Sequence, residues 1–153
     1  MEQVLRSRTR IAAVLLLCVS LLLSGFATDH ARAGAREDRV KMLELTNKAR
    51  HNKDRDALKL DRALSKYALK HSRDMADDGA LFHSSDLQQV LNGVDWSMAG
   101  ENVGVASSLT DVQDAFMGSK FHRKNILNSG YERAAIGVFE SDGNFWVTVI
   151  FYG

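Results

Sequence analysis

The chain has 153 residues, enough for one domain, and a hydrophobic share of 45% beside a charged share of 25%. A single cysteine excludes a disulfide framework and a thiolate metal site within the chain. The formal net charge is only +1, so no bulk charge imbalance points to a polyanionic or polycationic partner.

The first ten residues, MEQVLRSRTR, carry three arginines against one glutamate. Thirteen residues without a charge follow, Ile11 to Leu23, and then a region of small residues. A basic end, a short apolar core and a cleavable segment are the order of a secretory signal. The apolar run falls short of the ~20 residues that span a bilayer, so a removed signal over residues 1–33 is expected rather than an anchor. ARA at 31–33 offers the cleavage pattern and favours a cut after Ala33, with Ala27, nearer the apolar core, as the alternative. Cys18 lies inside the apolar core, where it reads as a hydrophobic filler. The mature chain, 34–153, is then a cysteine-free exported domain without a membrane span.

From Gly34 onward there are 16 Lys+Arg and 17 Asp+Glu, unevenly placed. Residues 34–73 carry 12 basic and 6 acidic side chains, and 74–153 carry 4 and 11. A charged helix face is ordinarily just solvated; the functional alternative is a basic surface resting on an anionic cell-envelope polymer or lipid headgroups. No interleaved aromatics or Arg-rich motif accompany these charges, which argues against nucleic acid.

Residues 36–52 have acids early and bases late, with Val40, Leu43 and Asn47 at helical spacing, and predict a first helix. LKL at 58–60 reads as a short extended piece. Asp61 is placed to cap a second helix with the stripe Leu64, Tyr67, Ala68, His71 and Met75, ended by Gly79. His71 belongs to that buried stripe and reads as a structural histidine. After a polar loop around Asn92 and Gly93, GENVGVA predicts a strand. SLTDVQDAFMGS predicts a third helix with Val112, Ala115 and Phe116 inward and a capping start. FHRKNILNSG reads as a tight turn or short helix. AAIGVFES and NFWVTVIFYG flank Asp142-Gly143, a strong hairpin signal, and neither parity of the last strand is polar throughout. Helices in the first half and strands in the second argue α+β, with helices packed over an antiparallel sheet.

One acid, Glu101, stands between glycines in an apolar segment, with His83 and His122 nearby in sequence terms. Two histidines and an acid suit a divalent metal, although the spacing is not that of a helical H-E-x-x-H site. Ser119 and His122, three apart, are a candidate nucleophile and base, but GSKFH is not a strained nucleophile elbow. The plainer reading is that these groups hydrogen-bond one another and pin loops to the sheet.

LTNKAR, LSKYALKHSRDMADDGALFHSS, AGENVG, AFMGSKFHRKNIL and AAIGVF…FWVTVIFYG stand in the order found in the CAP superfamily. That family (the SCP domain) comprises cysteine-rich secretory proteins, antigen 5 and pathogenesis-related 1. The chain resembles its short, cysteine-free bacterial branch over about residues 38–153. The resemblance implies an α-β-α sandwich, a central antiparallel sheet with helices on both faces. It also implies a central cleft built around two histidines and two acids. His83 of FHSS, Glu101 of GENVG and His122 of FHRKN fall on three of these positions. The second acid falls on Ser119, as is common in bacterial relatives, and Phe116 stands where the family usually has tryptophan. Asn125 is expected beside the cleft as loop support. His83 and His122 are the implied ligands of a divalent metal such as zinc, and no catalytic residue is assigned.

The function so implied is a secreted, monomeric binding module of the envelope or extracellular space, taking a lipid or other small apolar ligand. The alternatives are a metal-dependent hydrolase using the same cleft, which the missing second acid disfavours, and a structural or signalling envelope protein.

Overall fold

The structure is a computed structural model that describes residues 34–153. The expected signal over 1–33, with Cys18 and both cleavage positions, lies outside the described residues. In chain order come helix α1 (34–51), strand β1 (Lys59–Leu60), helices α2 (Ser65–Asp78) and α3 (Leu87–Val90), strand β2 (Ala99–Ala106), helices α4 (Leu109–Gly118) and α5 (Lys120–Ile126), and strands β3 (Arg133–Ser141) and β4 (Asn144–Tyr152). Glu37–Gly153 forms one compact unit.

The hairpin at the end organises the sheet. Asp142 and Gly143 take φ of 51° and 71°, the left-handed pair that a two-residue turn needs to follow the twist of its strands. The turn pairs Arg133 with Tyr152 through Ser141 with Asn144, and β4 then pairs antiparallel with β2, Ala99 opposite Tyr152. The strand order is β1-β3-β4-β2. The sheet is mixed rather than wholly antiparallel, because β1 joins β3 in parallel through Lys59 and Leu60. The long stretch of chain between these two strands gives the crossover that a parallel pair requires.

The two parities of the central strands feed two cores, so the molecule is an α-β-α sandwich. Ala134, Ile136 and Val138 of β3 and Val147, Val149 and Phe151 of β4 pack with Met42 of α1, Val112 and Phe116 of α4, and Ile126 of α5. Ala135, Ile150 and Tyr152 pack with Ala68 of α2 and Leu91, just after α3. Because both faces are covered, neither parity of β4 could be polar.

Two inward positions differ from the spacing-based expectation. On α1 the buried line is Met42, Thr46 and Arg50, and Val40 is 47% exposed. Thr46 donates to Gln113 Oε1 at 3.2 Å, and Arg50 donates to four backbone carbonyls, so polar side chains can occupy the inward stripe. On α4 Val112 and Phe116 are buried, but Ala115 faces solvent and Gln113 takes the inward place. The remaining local features match. Asp61 Oδ1 accepts from the N–H groups of Ala63 and Leu64 ahead of α2. Gly79 ends α2 at φ 62°, and Ser108 caps α4 by accepting from Asp111 N–H.

Candidate functional site

The site forms at β2, the free edge of the sheet, where consecutive side chains point to opposite faces. Glu101 turns toward α2 and Asn102 toward α5. After the left-handed turn at Gly79 the chain returns along α2, held by His71, whose Nε2–H donates to the Phe82 carbonyl at 3.0 Å. The Phe82 ring stands edge-on to His71, with centroids 5.1 Å apart, and Tyr67 stacks on its other side at 6.2 Å. His71 is thus the structural histidine that its place in the stripe predicts.

This packing delivers His83 and Ser84 to Glu101. Glu101 Oε2 accepts from His83 Nδ1 at 2.8 Å and from Ser84 N–H at 2.9 Å, and Oε1 accepts from the Ser84 hydroxyl at 2.5 Å. His71 Nε2 lies 3.9 Å from Oε1. Tyr67 donates to Ser84 Oγ at 3.3 Å and extends the network. The carboxylate is 3% exposed while the His83 side chain is 58% exposed. The acid is therefore hidden and engaged by three donors, and the imidazole it orients is open. With Nδ1 donating to the acid, the His83 lone pair sits on Nε2.

From the other face α5 closes on the same strand. Asn102 donates to the His122 carbonyl at 3.1 Å. Asn125 Nδ2 donates to the Glu101 carbonyl at 3.1 Å and to Asn102 Oδ1 at 2.9 Å. Gly100 permits this approach: a Cβ there would lie 2.6 Å from the Tyr131 hydroxyl and 2.8 Å from the Asn125 side-chain oxygen. Asn125 thus ties α5 to β2. The His122 ring packs edge-on to Phe116, centroids 5.0 Å apart. Burial lowers its pKa below the ordinary histidine value, and the neighbouring His83 lowers it further.

Ser119 is the N-cap of α5; its hydroxyl accepts from the His122 backbone N–H at 3.5 Å and makes no hydrogen bond to the ring. That geometry is capping rather than a nucleophile–base pair. Among the described residues no group of three or more His, Cys, Asp or Glu side chains is arranged to hold a metal. Sequence reasoning missed Ser84 and Asn102. Ser84 stood inside the FHSS motif, but its bonds to Glu101 arise only when the loop folds back.

Comparison with known proteins agrees with this architecture. Residues 43–151 match the cysteine-rich secretory protein family, CAP, and the chain belongs to that family. The Bacillus subtilis protein YkwD is 35% identical over 114 residues, covering 69% of this chain and 44% of YkwD. An extracellular SCP-domain protein from Bacillus anthracis superposes with a TM-score of 0.71 at 26% identity, over 81% of this chain and 43% of that one. An outer surface protein from Borrelia burgdorferi shares the fold with a TM-score of 0.65 at 18% identity, over 76% and 92% of the two chains. The chain thus spans less than half the length of YkwD and of the Bacillus anthracis protein. Among the described residues no helix is long and apolar enough to cross a membrane.

Proposed function

We propose that this CAP domain works outside the cytoplasm as a binding module. In this reading His83 and His122 bind a divalent ion such as zinc, and the apolar side chains beside them receive a lipid or other small apolar ligand. The observation that carries it is the state of Glu101. It accepts three hydrogen bonds, from His83 and Ser84, and is hidden from solvent. Such an acid orients an imidazole rather than taking a proton from water itself, so in the hydrolase alternative the base would be the open His83 ring. The lowered pKa of His122 keeps its ring neutral near pH 7, the form that donates a lone pair. Leu81 and Phe82, 48% and 37% exposed, directly precede His83 and supply apolar surface. A bound ion would supply a Lewis-acid centre for an oxygen of the ligand's polar end. Export is supported by the extracellular and outer-surface descriptions of the structural neighbours.

Titration calorimetry with zinc tests the reading, together with mass spectrometry of lipids that co-purify. Binding is expected in the wild type, absent in His122→Ala, and tighter in Ser119→Glu, where a carboxylate replaces a neutral hydroxyl. No heat at any pH between 5.5 and 8, values bracketing the ordinary histidine pKa of about 6.5, would remove the metal from the proposal. Protein free of any acyl or other apolar compound, and unable to take one up, would remove the ligand.

A further inference from the structure

Lys120, Arg123 and Lys124 are three of the four cations between residues 74 and 153, and they line one cavity of about 420 Å³ with Asn128 and Ser129. Among the described residues none of the three pairs with a carboxylate. Arginines around the cavity are tied to backbone carbonyls. Arg123 Nη1 donates to the Met117 carbonyl at 2.6 Å, which fixes its guanidinium at the end of α4. Arg55 enters from the loop after α1 and donates through Nε to the carbonyl of Leu127, on the cavity wall, at 3.1 Å. Arg50, 1% exposed, donates to the Ile126 and Asn128 carbonyls at 2.8 and 2.9 Å. Its guanidinium binds carbonyls, and the charge of Asp56 acts on it electrostatically. The Arg55 loop carries Lys53 as well as Asp54 and Asp56.

Phe121 adds a second, independent feature. Its side chain is 80% exposed, against 48% for the next most exposed large hydrophobic residue. It adjoins Lys120 and stands three residues before Lys124, a spacing that brings side chains together on a helix. An aromatic ring set among lysines suits an interface that is apolar at one depth and anionic at the next.

We infer that α5 docks on an anionic bilayer surface, with lipid phosphates at the Lys120–Arg123–Lys124 cavity and the Phe121 ring in the boundary between headgroups and acyl chains. Each basic residue near such a surface strengthens binding roughly fivefold, and salt weakens it. A soluble phosphate polymer would use the cavity and leave the ring in water; the exposed ring favours the bilayer. The inference does not depend on what His83 and His122 bind.

The test places a reporter at the ring itself. The Phe121→Trp variant of the full chain is mixed with vesicles of equal parts phosphatidylglycerol and phosphatidylcholine carrying brominated acyl chains. Emission is read against the wild-type chain, whose Trp96 and Trp146 give the background. Bromine quenching is expected on these vesicles, absent on phosphatidylcholine alone, and abolished when Lys120→Glu and Lys124→Glu are added. Because the reporter sits on α5, a contribution from the apolar run at 11–23 cannot produce this pattern. Equal quenching on neutral vesicles, or quenching that survives the charge reversals, overturns the inference. Binding to soluble polyphosphate with no quenching by lipid also overturns it, in favour of a soluble polymer.

Discussion

On the sheet face covered by α1, α4 and α5, large apolar side chains fill the space: Phe116, Phe151, Ile126, Ile136 and Met42 are each at most 1% exposed. On the face covered by α2, apolar side chains such as Ile150 and Leu91 are joined by small side chains and hydroxyl groups where the helix meets β3. Ser65 Oγ donates to the Asp61 carbonyl at 2.5 Å and accepts from the Ile136 N–H at 3.0 Å. Ser72 Oγ reaches Thr148 Oγ1 at 2.9 Å and the Gly137 carbonyl at 3.2 Å. A Cβ on Gly137 would run into the backbone of Ala68 and Leu69, so α2 lies directly against the strand. The difference teaches where each layer can yield. Side chains on the first face can change rotamer, whereas on the second face the helix backbone itself must move.

Paired glycine substitutions should show this contrast at its largest. Gly137→Ala sets a methyl group against helix backbone and should cost about 3 kcal/mol, at the upper end for overpacking. Gly104→Ala meets the edge of the Phe116 ring, 2.7 Å from the new Cβ, and the ring can shift; about 1 kcal/mol is expected. Urea unfolding of both variants measures the gap. Equal losses would mean that the helix moves as easily as the ring.

Next in size is the link between the start of α2 and the end of β4. The Tyr152 hydroxyl donates to Asp61 Oδ2 at 2.5 Å. Burial pushes the Asp61 carboxyl up, but bonds from Tyr152, Leu64 and Ala63 outweigh it and leave its pKa below the ordinary carboxylate range. Burial, then the bond and the charge of Asp61, push Tyr152 up to about 12. The lowered acid stabilises the fold above pH ~4, and that share is lost as pH falls through the folded value. The raised phenol stabilises it below pH ~10, and that share is lost as pH rises toward 12. Tyr152→Phe should cost about 2 kcal/mol at pH 7, as a hydrogen bond to a charged group does. It should also flatten the loss of stability above pH ~10. Thermal melts across pH check both, and an unchanged alkaline limb would show that another group sets it.

Ser72→Ala should be milder, about 1 kcal/mol, since it removes one hydroxyl and leaves Thr148 free to reorient toward the Gly137 carbonyl. A loss as large as that of Gly137→Ala would make hydroxyl bonding, rather than close approach, the main tie of α2.

How much of this could be read in the sequence followed the same division. Asp142-Gly143 announced the hairpin because few residue pairs accept two positive φ values, and the two apolar parities of NFWVTVIFYG announced a sheet covered on both sides. Asp61, Gly79 and Ser108 marked helix ends for equally local reasons. The inward line of α1 was hidden, since Thr46 and Arg50 look like solvated residues until their distant partners, Gln113 and the carbonyls of the 126–131 turn, are in place. The parallel pairing of the two-residue β1 has no local signature at all. At the site, Glu101 stood out as a lone acid in an apolar strand, and the motif order of the family singled out His83 and His122. Ser84 and Asn102 acquire their bonds only through tertiary closure, and neither residue type is unusual in a loop or a strand.

An effect on stability as small as that of Ser72→Ala is expected of Glu101→Gln, which is the most informative about the site at β2. Glutamine keeps an oxygen at the Oε2 position, where it accepts from both His83 Nδ1 and the Ser84 N–H, and sets its N–H₂ at the Oε1 position, where the Ser84 hydroxyl can accept. Its volume is nearly unchanged, so a loss of about 1 kcal/mol is expected. The His83 tautomer is kept, but the ring loses the negative charge behind it and becomes a weaker ligand. Zinc affinity should therefore fall while the fold survives, with the nitrogen resonances of His83 reporting an unchanged tautomer. The consequence should reach the opposite face only electrostatically: His122 and the α5 contacts through Asn102 and Asn125 keep their geometry. A variant with full zinc affinity would show that the charge of Glu101 does not support the imidazole as a ligand. A variant that lost several kcal/mol would instead make the acid a fastener of the 82–84 loop, with orientation of His83 as its by-product.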